Sequence, residues 1–318
     1  MRLTNSTIGN RVLADLQASY TRMATTQEQI SSGRRVNRPS DDPVAAATER
    51  LRNGDLEGIR RSQESVNTAT SWLGASETAL SSVNDVLSRA RELAVQGANG
   101  TNNQAARNQI ADEIDQLVKS AKDAVNVKVG DAYIFSGTRS DVAPYADATG
   151  DAYQGDAGAV TREAGPGATL QLNPPFAAVG ATPAGSTEAL TGASLLGGGA
   201  GAADGRVLDV LQTLSAHLRG GTAADITAIQ NSDLGRLQTV QTAVSNARGA
   251  VGITLNRAEA ATSRLQDLQE LTTQGISDLT GVDLAKALTD YTSQQSAYQA
   301  TLKVGAQIIQ PSLVDFLR

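Results

Sequence analysis

Cysteine is absent from the 318 residues, histidine and tryptophan occur once each, as His217 and Trp72, and methionine occurs twice. Without thiols there is no disulfide, thiolate nucleophile, iron–sulfur cluster or cysteine zinc site. A single histidine excludes a His-rich metal centre, and it leaves His217 as the sole imidazole for any Ser-His-Asp triad. Aromatics make up 3% of the chain, which disfavours the large core of an enzyme domain. Lys and Arg number 27 against 33 Asp and Glu, a net charge of −6, so the basic footprint of a nucleic-acid binder is missing. No apolar run reaches the ~18–20 residues of a spanning helix. The opening MRLTNSTIGN has neither an apolar h-region nor a small-residue cleavage site, so no cleavable signal peptide is expected. These absences predict a chain with no catalytic residues, no cofactor, no metal and no membrane insertion.

What is present falls into three compositional regions. Residues 1–130 and 206–318 are rich in Ala, Gln, Ser, Thr and Leu and poor in proline. Residues 131–205 hold nearly half the glycines, five of the eight prolines and half the aromatics. That block reads as short strands and turns, and its flanks read as long helices.

The flanks carry heptads. Ile59, Val66, Leu73, Leu80, Leu87 and Ala94 fall seven apart, and Ser62, Ala69, Ser76, Val83, Ala90 and Gly97 follow each by three. This is an a/d seam whose d residues are mostly small. A second seam alternates by three and four from Leu237 through Val240, Val244, Ala247, Val251, Thr254, Ala258, Ala261 and Leu265 to Leu268. Helices of this length need partners alongside, because isolated helices are marginal in water. A third helix near 103–129 carries Ile110, Ile114, Leu117, Val118, Ala121 and Val125 after the break at Gly97-Ala98-Asn99-Gly100.

Both chain ends repeat the device. Leu16, Met23 and Ile30 are seven apart, with Val12 one turn earlier. Leu284, Leu288, Tyr291, Gln295, Tyr298, Leu302, Gly305 and Ile309 alternate by four and three. The two terminal helices can pair antiparallel if the chain folds back, and their remaining apolar surface then calls for a neighbouring copy. Pro311 is expected to stop the last helix near Gln310. Between the first two helices lies SSGRRVNRPSDDPVAAA. Gly33 stops one helix, Asp42 caps the next and Pro43 fits its first turn. Arg34, Arg35, Arg38, Pro39 and Asp41 complete a charged connector that carries no phosphate-loop pattern.

This connector resembles the N-terminal segment of the flagellin-like family, the bacterial flagellins and the hook–filament junction proteins. The pair Pro39 and Pro43 in RPSDDPVAA is closer to the junction branch. NGTNNQAARNQIADEIDQL, DAYIFSGTRSDVAPYADATGDAYQGD and DLAKALTDYTSQQSAYQATLKV are similar to further segments of that branch, the second as a Tyr-Ile-Phe strand leading into an outer domain. The resemblance covers residues 1–155 and about 206–318; residues 156–205 match only in composition.

The resemblance implies a mainly α fold, a long antiparallel helical bundle or coiled coil built from both chain ends with a small β-rich insert. Residues 1–42 with 281–318 would form a terminal assembly layer, 43–135 with 206–280 a long-helix bundle, and 136–205 the outer insert. Leu16, Met23, Ile30, Leu284, Leu288, Tyr291, Tyr298, Leu302 and Ile309 would form the assembly interface. The implied role is a structural ring between hook and filament, extracellular on the flagellum and reached through its own export channel. The implied partners are further copies of the chain, the hook-side junction protein, flagellin, and the export apparatus with its chaperone.

Other readings of the same residues stand beside this one. The filament subunit is the nearest. A wall-acting enzyme would need paired carboxylates, and Asp141, Asp147, Asp151, Asp156 and Glu163 are the available acids. A non-flagellar coiled-coil scaffold is the third. His217, near the end of a short helix, reads as a surface or dipole residue. Gly197-Gly198-Gly199-Ala200-Gly201 lacks the Gly-Lys-Ser/Thr ending of a phosphate loop and reads as a flexible hinge.

Overall fold

The computed structural model describes residues 5–146, 152–180, 186–199 and 202–316; for 5–8 and 307–316 it fixes the backbone alone. Asp147, Asp151, Ala200 and Gly201 lie outside the described residues. The chain is mainly helical: α1 (Asn5–Ser32), α2 (Pro43–Gly97) and α3 (Gln104–Val125), then six short strands, then α4 (Gly192–Leu195), α5 (Val207–Gly220), α6 (Ala223–Ala228), a π-helical turn (Ile229–Asp233), α7 (Leu234–Thr280) and α8 (Leu284–Phe316). It divides into two compact units, residues 1–59 with 267–318 and residues 60–266.

The unit of residues 60–266 contains most of the apolar core. Every residue of the α2 seam from Ser62 to Gly97 is buried, and on α7 so are Leu237, Val240, Val244, Ala247, Val251, Thr254, Ala258 and Leu265. Polar groups set the antiparallel register of these helices. Arg248 donates to Glu77 at 2.6–2.9 Å, Gln241 to the Ser88 hydroxyl at 3.3 Å and Arg91 to Gln238 at 3.0 Å. Partner numbers fall on one helix as they rise on the other, as antiparallel neighbours require.

The third helix forms because its apolar residues share one face and its start is capped. Asn103 accepts from the Ala106 N–H at 2.8 Å, which satisfies one of the free N–H groups of the first turn. Its buried face, Ile110, Ile114, Val118 and Val125, serves α5, whose own buried face includes Leu208, Leu211, Leu214 and Leu218. Gly97 sits close against α5 here, and a Cβ there would meet the tip of the Leu218 side chain, which would have to shift. Gln104, the first residue of α3, caps the same C-terminal end of α5 by donating to the Leu218 and Arg219 carbonyls at 3.1 and 2.9 Å.

Helix α5 stops at Gly221, whose φ of 61° is left-handed. His217 sits in its last turn, as the sequence suggests, but it is more than a dipole residue. Its Nδ1 lies 2.6 Å from the carboxylate of Asp233, which is buried on the π-helical turn. A buried carboxylate needs such a partner, and the extra residue of the π turn places it there.

The insert is built from three two-stranded antiparallel hairpins: β1 (Lys128–Val129) with β2 (Ala132–Tyr133), β3 (Thr161–Gly165) with β4 (Ala168–Gln171), and β5 (Pro175–Phe176) with β6 (Glu188–Ala189). The expected Tyr-Ile-Phe strand ends at Tyr133. Ile134 and Phe135 are buried in the turn that follows, because apolar side chains leaving a short hairpin gain more from the core than from ladder bonds. Two tyrosines tie this region together. The Tyr145 hydroxyl lies 2.8 and 2.6 Å from the Gly192 and Gly197 carbonyl oxygens and the Tyr153 hydroxyl 2.9 Å from those of Phe135 and Asp156, each phenol sharing its one proton between two acceptors. At the expected hinge, Asp204 accepts from the Gly198 N–H at 2.9 Å.

Burial pushes the Tyr153 phenol up to about 12 from 10.0. A raised folded value favours the neutral form. Its contribution to stability is complete below the unfolded value and is lost as pH rises through about 12. An ultraviolet titration of tyrosinate should show a late step about two pH units after the exposed phenols. In Tyr153→Phe the amplitude of that late step should fall by one phenol.

The last helix corrects an expectation. α8 runs to Phe316, past Pro311. Proline removes one N–H and crowds one carbonyl of the preceding turn, and here the helix carries that local defect rather than ending at Gln310.

Candidate assembly surfaces

The terminal helices pack directly on one another and run antiparallel. Val12 lies against Gly305, the rings of Tyr20 and Tyr298 are 6.3 Å apart, and Thr26 donates to Gln294 at 3.2 Å. The pairing is closed at its base by backbone bonds: Arg35 N–H to the Thr280 carbonyl at 2.7 Å and Val282 N–H to the Gly33 carbonyl at 3.1 Å. Gly33 turns the chain there with a φ of 69°.

The connector is ordered by its own charges. Asp42 caps α2, accepting from the Ala45 N–H at 3.0 Å, and Pro43 is the first helical residue. Asp41 accepts from the Asn37 and Arg38 N–H groups at 3.1 and 2.8 Å. Pro39 follows Arg38 in a tight turn closed by Asp41 N–H to Arg38 C=O at 2.9 Å, the position where proline's fixed φ fits. Each arginine has an acid within the chain. Arg34 pairs with Glu49, Arg35 with Asp42 at 3.2 Å and Arg38 with Glu28 at 3.4 Å. The Ala45 N–H, assisted by Arg35, holds the Asp42 carboxyl below its ordinary range. That contribution is present above the unfolded value and is lost as pH falls through the folded one.

The residues expected at the interface separate into two sets. Leu16, Met23 and Ile30 on α1 and Tyr291 and Tyr298 on α8 are half-buried in the helix pair. Leu284, Leu288 and Leu302 are exposed on an adjacent stripe of α8. The side chain of Ile309 lies outside the described residues. The helix contact combines Val12, Tyr291, Tyr298 and Gly305 from the periodic stripes with Ser19, Thr26, Ala287, Gln294 and Thr301, which apolar periodicity passes over. On α1, Val12, Ser19 and Thr26 are seven apart. On α8, Ala287, Gln294 and Thr301 form one such row, and Tyr291, Tyr298 and Gly305 form another. Ser19, Thr26, Ala287 and Gly305 are buried. The signal is the seven-residue spacing, and the polarity of its members conceals it.

This unit is poor in core. Among its described residues, the buried apolar side chains are Val36, Ala45, Ile59 and Ala287. The same unit exposes Leu13, Tyr20, Val44, Leu51, Leu271, Leu284, Leu288, Leu302 and Val304, whereas residues 60–266 expose only Val95 and Ile253 among the large apolar residues described. Large exposed apolar side chains are thus concentrated in the terminal unit.

Asp156 of the insert serves structure. Asp156 accepts from the Thr138 hydroxyl and, at 2.8 Å each, from the Thr138 and Gly158 N–H groups. The Thr138 hydroxyl leads in holding its pKa below the ordinary range. A glycosidase acid requires the opposite shift. Among the described residues, no cluster of three metal-ligating side chains occurs, and no helix is long and apolar enough to cross a membrane.

Comparison with known proteins places this architecture. The model of the bacterial flagellin N-terminal helical region matches residues 5–140, and that of the C-terminal helical region matches residues 234–317. Flagellar hook-associated protein 3 of Salmonella typhimurium is 25% identical over 333 aligned positions, covering 100% of both chains. A Clostridium tyrobutyricum flagellin is 30% identical over 117 residues, 37% of this chain, and the match spans about a third (31%) of that flagellin. The solved structure of a putative flagellar hook-associated protein from Vibrio parahaemolyticus shares the fold, with a TM-score of 0.64 at 19% identity over 76% of this chain and 100% of that one. The chain belongs to the flagellin family of bacterial flagellar structural proteins and is related along its whole length to hook-associated protein 3.

Proposed function

We propose that this chain is a structural subunit of the junction between hook and filament, outside the cell on the bacterial flagellum, and that it performs no catalysis. The observation that carries the reading is relatedness to hook-associated protein 3 over the full length of both chains, against a partial match to flagellin. The exposed apolar surface of the terminal unit supports assembly through the chain ends. Residues 1–42 with 281–318 act as the assembly layer, 43–135 with 206–280 as the supporting bundle, and 136–205 as the outer insert. Leu284, Leu288 and Leu302 meet neighbouring copies, while Leu16, Met23, Ile30, Tyr291 and Tyr298 set the shape of the helix pair. The partners are further copies in a ring, the hook-side junction protein, flagellin, and the flagellar export apparatus with its chaperone.

Electron microscopy of a strain lacking the gene tests this reading. Hooks without filaments, with soluble flagellin accumulating in the medium, are the expected result. Normal filaments would overturn it. So would filamentless hooks with no flagellin in the medium, the outcome for a filament subunit.

A further inference from the structure

The sequence holds two Asn-Gly dipeptides, Asn53-Gly54 and Asn99-Gly100. We infer that Asn99 is a site of spontaneous deamidation in the folded protein, and that Asn53 is protected. The reaction needs no enzyme. The Gly100 nitrogen attacks Cγ of Asn99, a C–N bond closes a five-membered succinimide, and the C–NH2 bond breaks. The proton lost by Gly100 leaves with the amide nitrogen as ammonia. Water then opens the ring at either carbonyl, giving aspartate or isoaspartate.

Three observations favour this at Asn99. The residue is exposed in the irregular turn between α2 and α3. The Gly100 N–H, the nucleophile, donates to no neighbour among the described residues, and the space about Gly100 is open. The carbonyl under attack is polarised by two donors, since Asn99 Oδ1 accepts from the Thr101 N–H at 3.1 Å and the Thr101 hydroxyl at 3.0 Å. Donors so placed stabilise the oxyanion formed as nitrogen adds to Cγ.

Asn53 supplies the contrast. It is exposed and Gly54 is equally uncrowded, so access does not separate the two sites. Asn53 lies inside α2, where helical dihedrals fix the Gly54 nitrogen and its N–H is committed to the carbonyl four residues back. Ring closure there requires local unwinding. Each modified chain gains a carboxylate just beyond the C-terminal end of α2, the negative end of its dipole. Isoaspartate also adds a backbone methylene to the turn whose Ala98 carbonyl accepts from Gln230 at 3.0 Å.

The test incubates the full chain in mildly alkaline buffer, folded and in urea, and weighs the tryptic fragments spanning residues 53–60 and 92–107. In the folded chain, conversion at Asn99 should exceed that at Asn53 on the order of 100-fold, the cost of misplaced reacting groups. In urea the ratio should collapse toward about one as that positioning is lost. Thr101→Ala should slow Asn99 in the folded chain alone. Equal folded rates at both sites would overturn the inference. So would an unmodified Asn99 in folded chain kept long enough for the unfolded chain to convert.

Discussion

A chain cut to residues 60–266 is expected to remain folded and to lose all capacity to enter flagella. Nearly every buried apolar side chain lies in that span, including the α2 and α7 seams and the α3 and α5 faces. Hydrophobic burial is the main favourable term in folding, and this term survives the cut. The discarded ends hold four buried apolar side chains among their described residues, too few to offset the ordering entropy of so many residues by themselves. Circular dichroism should show a helical protein with one cooperative thermal transition, and a deletion strain supplied with the fragment should stay non-motile. An unfolded fragment, or one that restores swimming, would contradict this division of labour.

A matched pair of leucine substitutions should separate the two kinds of apolar surface. Leu80 is 0% exposed in the α2 seam, while Leu288 is 51% exposed on α8. Leu80→Ala removes packed methyl groups and leaves a cavity, which costs ~2–5 kcal/mol. That is a large share of a total stability of ~5–15 kcal/mol, and it should lower the melting temperature of the isolated chain by many degrees. Leu284→Ala with Leu288→Ala should shift the isolated chain's stability within about 0.5 kcal/mol per site. The same double variant should fail in assembly, because each leucine that becomes buried between copies contributes ~1.5–3 kcal/mol and the loss recurs at every contact of a ring. Thermal melts of the purified chain and electron microscopy of the complemented strain read the two effects separately. If the surface pair destabilises the monomer as much as Leu80→Ala does, the exposed stripe of α8 is core and not interface.

Much of this molecule is legible in the residues. The heptads from Ile59 to Ala94 and from Leu237 to Leu268 give two long helices and the faces by which they pack, because a seven-residue repeat keeps one stripe toward a partner. The connector is readable in the same way. Gly33, Asp42 and Pro43 each have one conformational or capping property that fits one place at a helix end. The insert is marked off by its proline and glycine content, and the resemblance of the connector and last helix points to the family.

The rest required the folded chain, for identifiable reasons. The terminal helices bury Ser19, Thr26, Ala287 and Gly305 and leave Leu284 and Leu288 exposed. Ranking residues by polarity inverts that choice, because close helix approach rewards small side chains whatever their polarity. Pro311 does not end α8, since a single lost backbone bond is a local cost that the surrounding helix can carry. His217 could not be matched to Asp233 from sequence, because a π turn shifts the register that would predict the pair. The Asn-Gly dipeptides show the division at its sharpest. The sequence supplies two identical pairs, and only the backbone places one in a rigid helix and the other in a turn with its amide free. Periodicity and end signals are local properties, so the long helices and the turn-rich insert are readable from the residues alone. Which face is covered within the chain depends on distances between residues far apart in sequence, so it is read from the folded molecule.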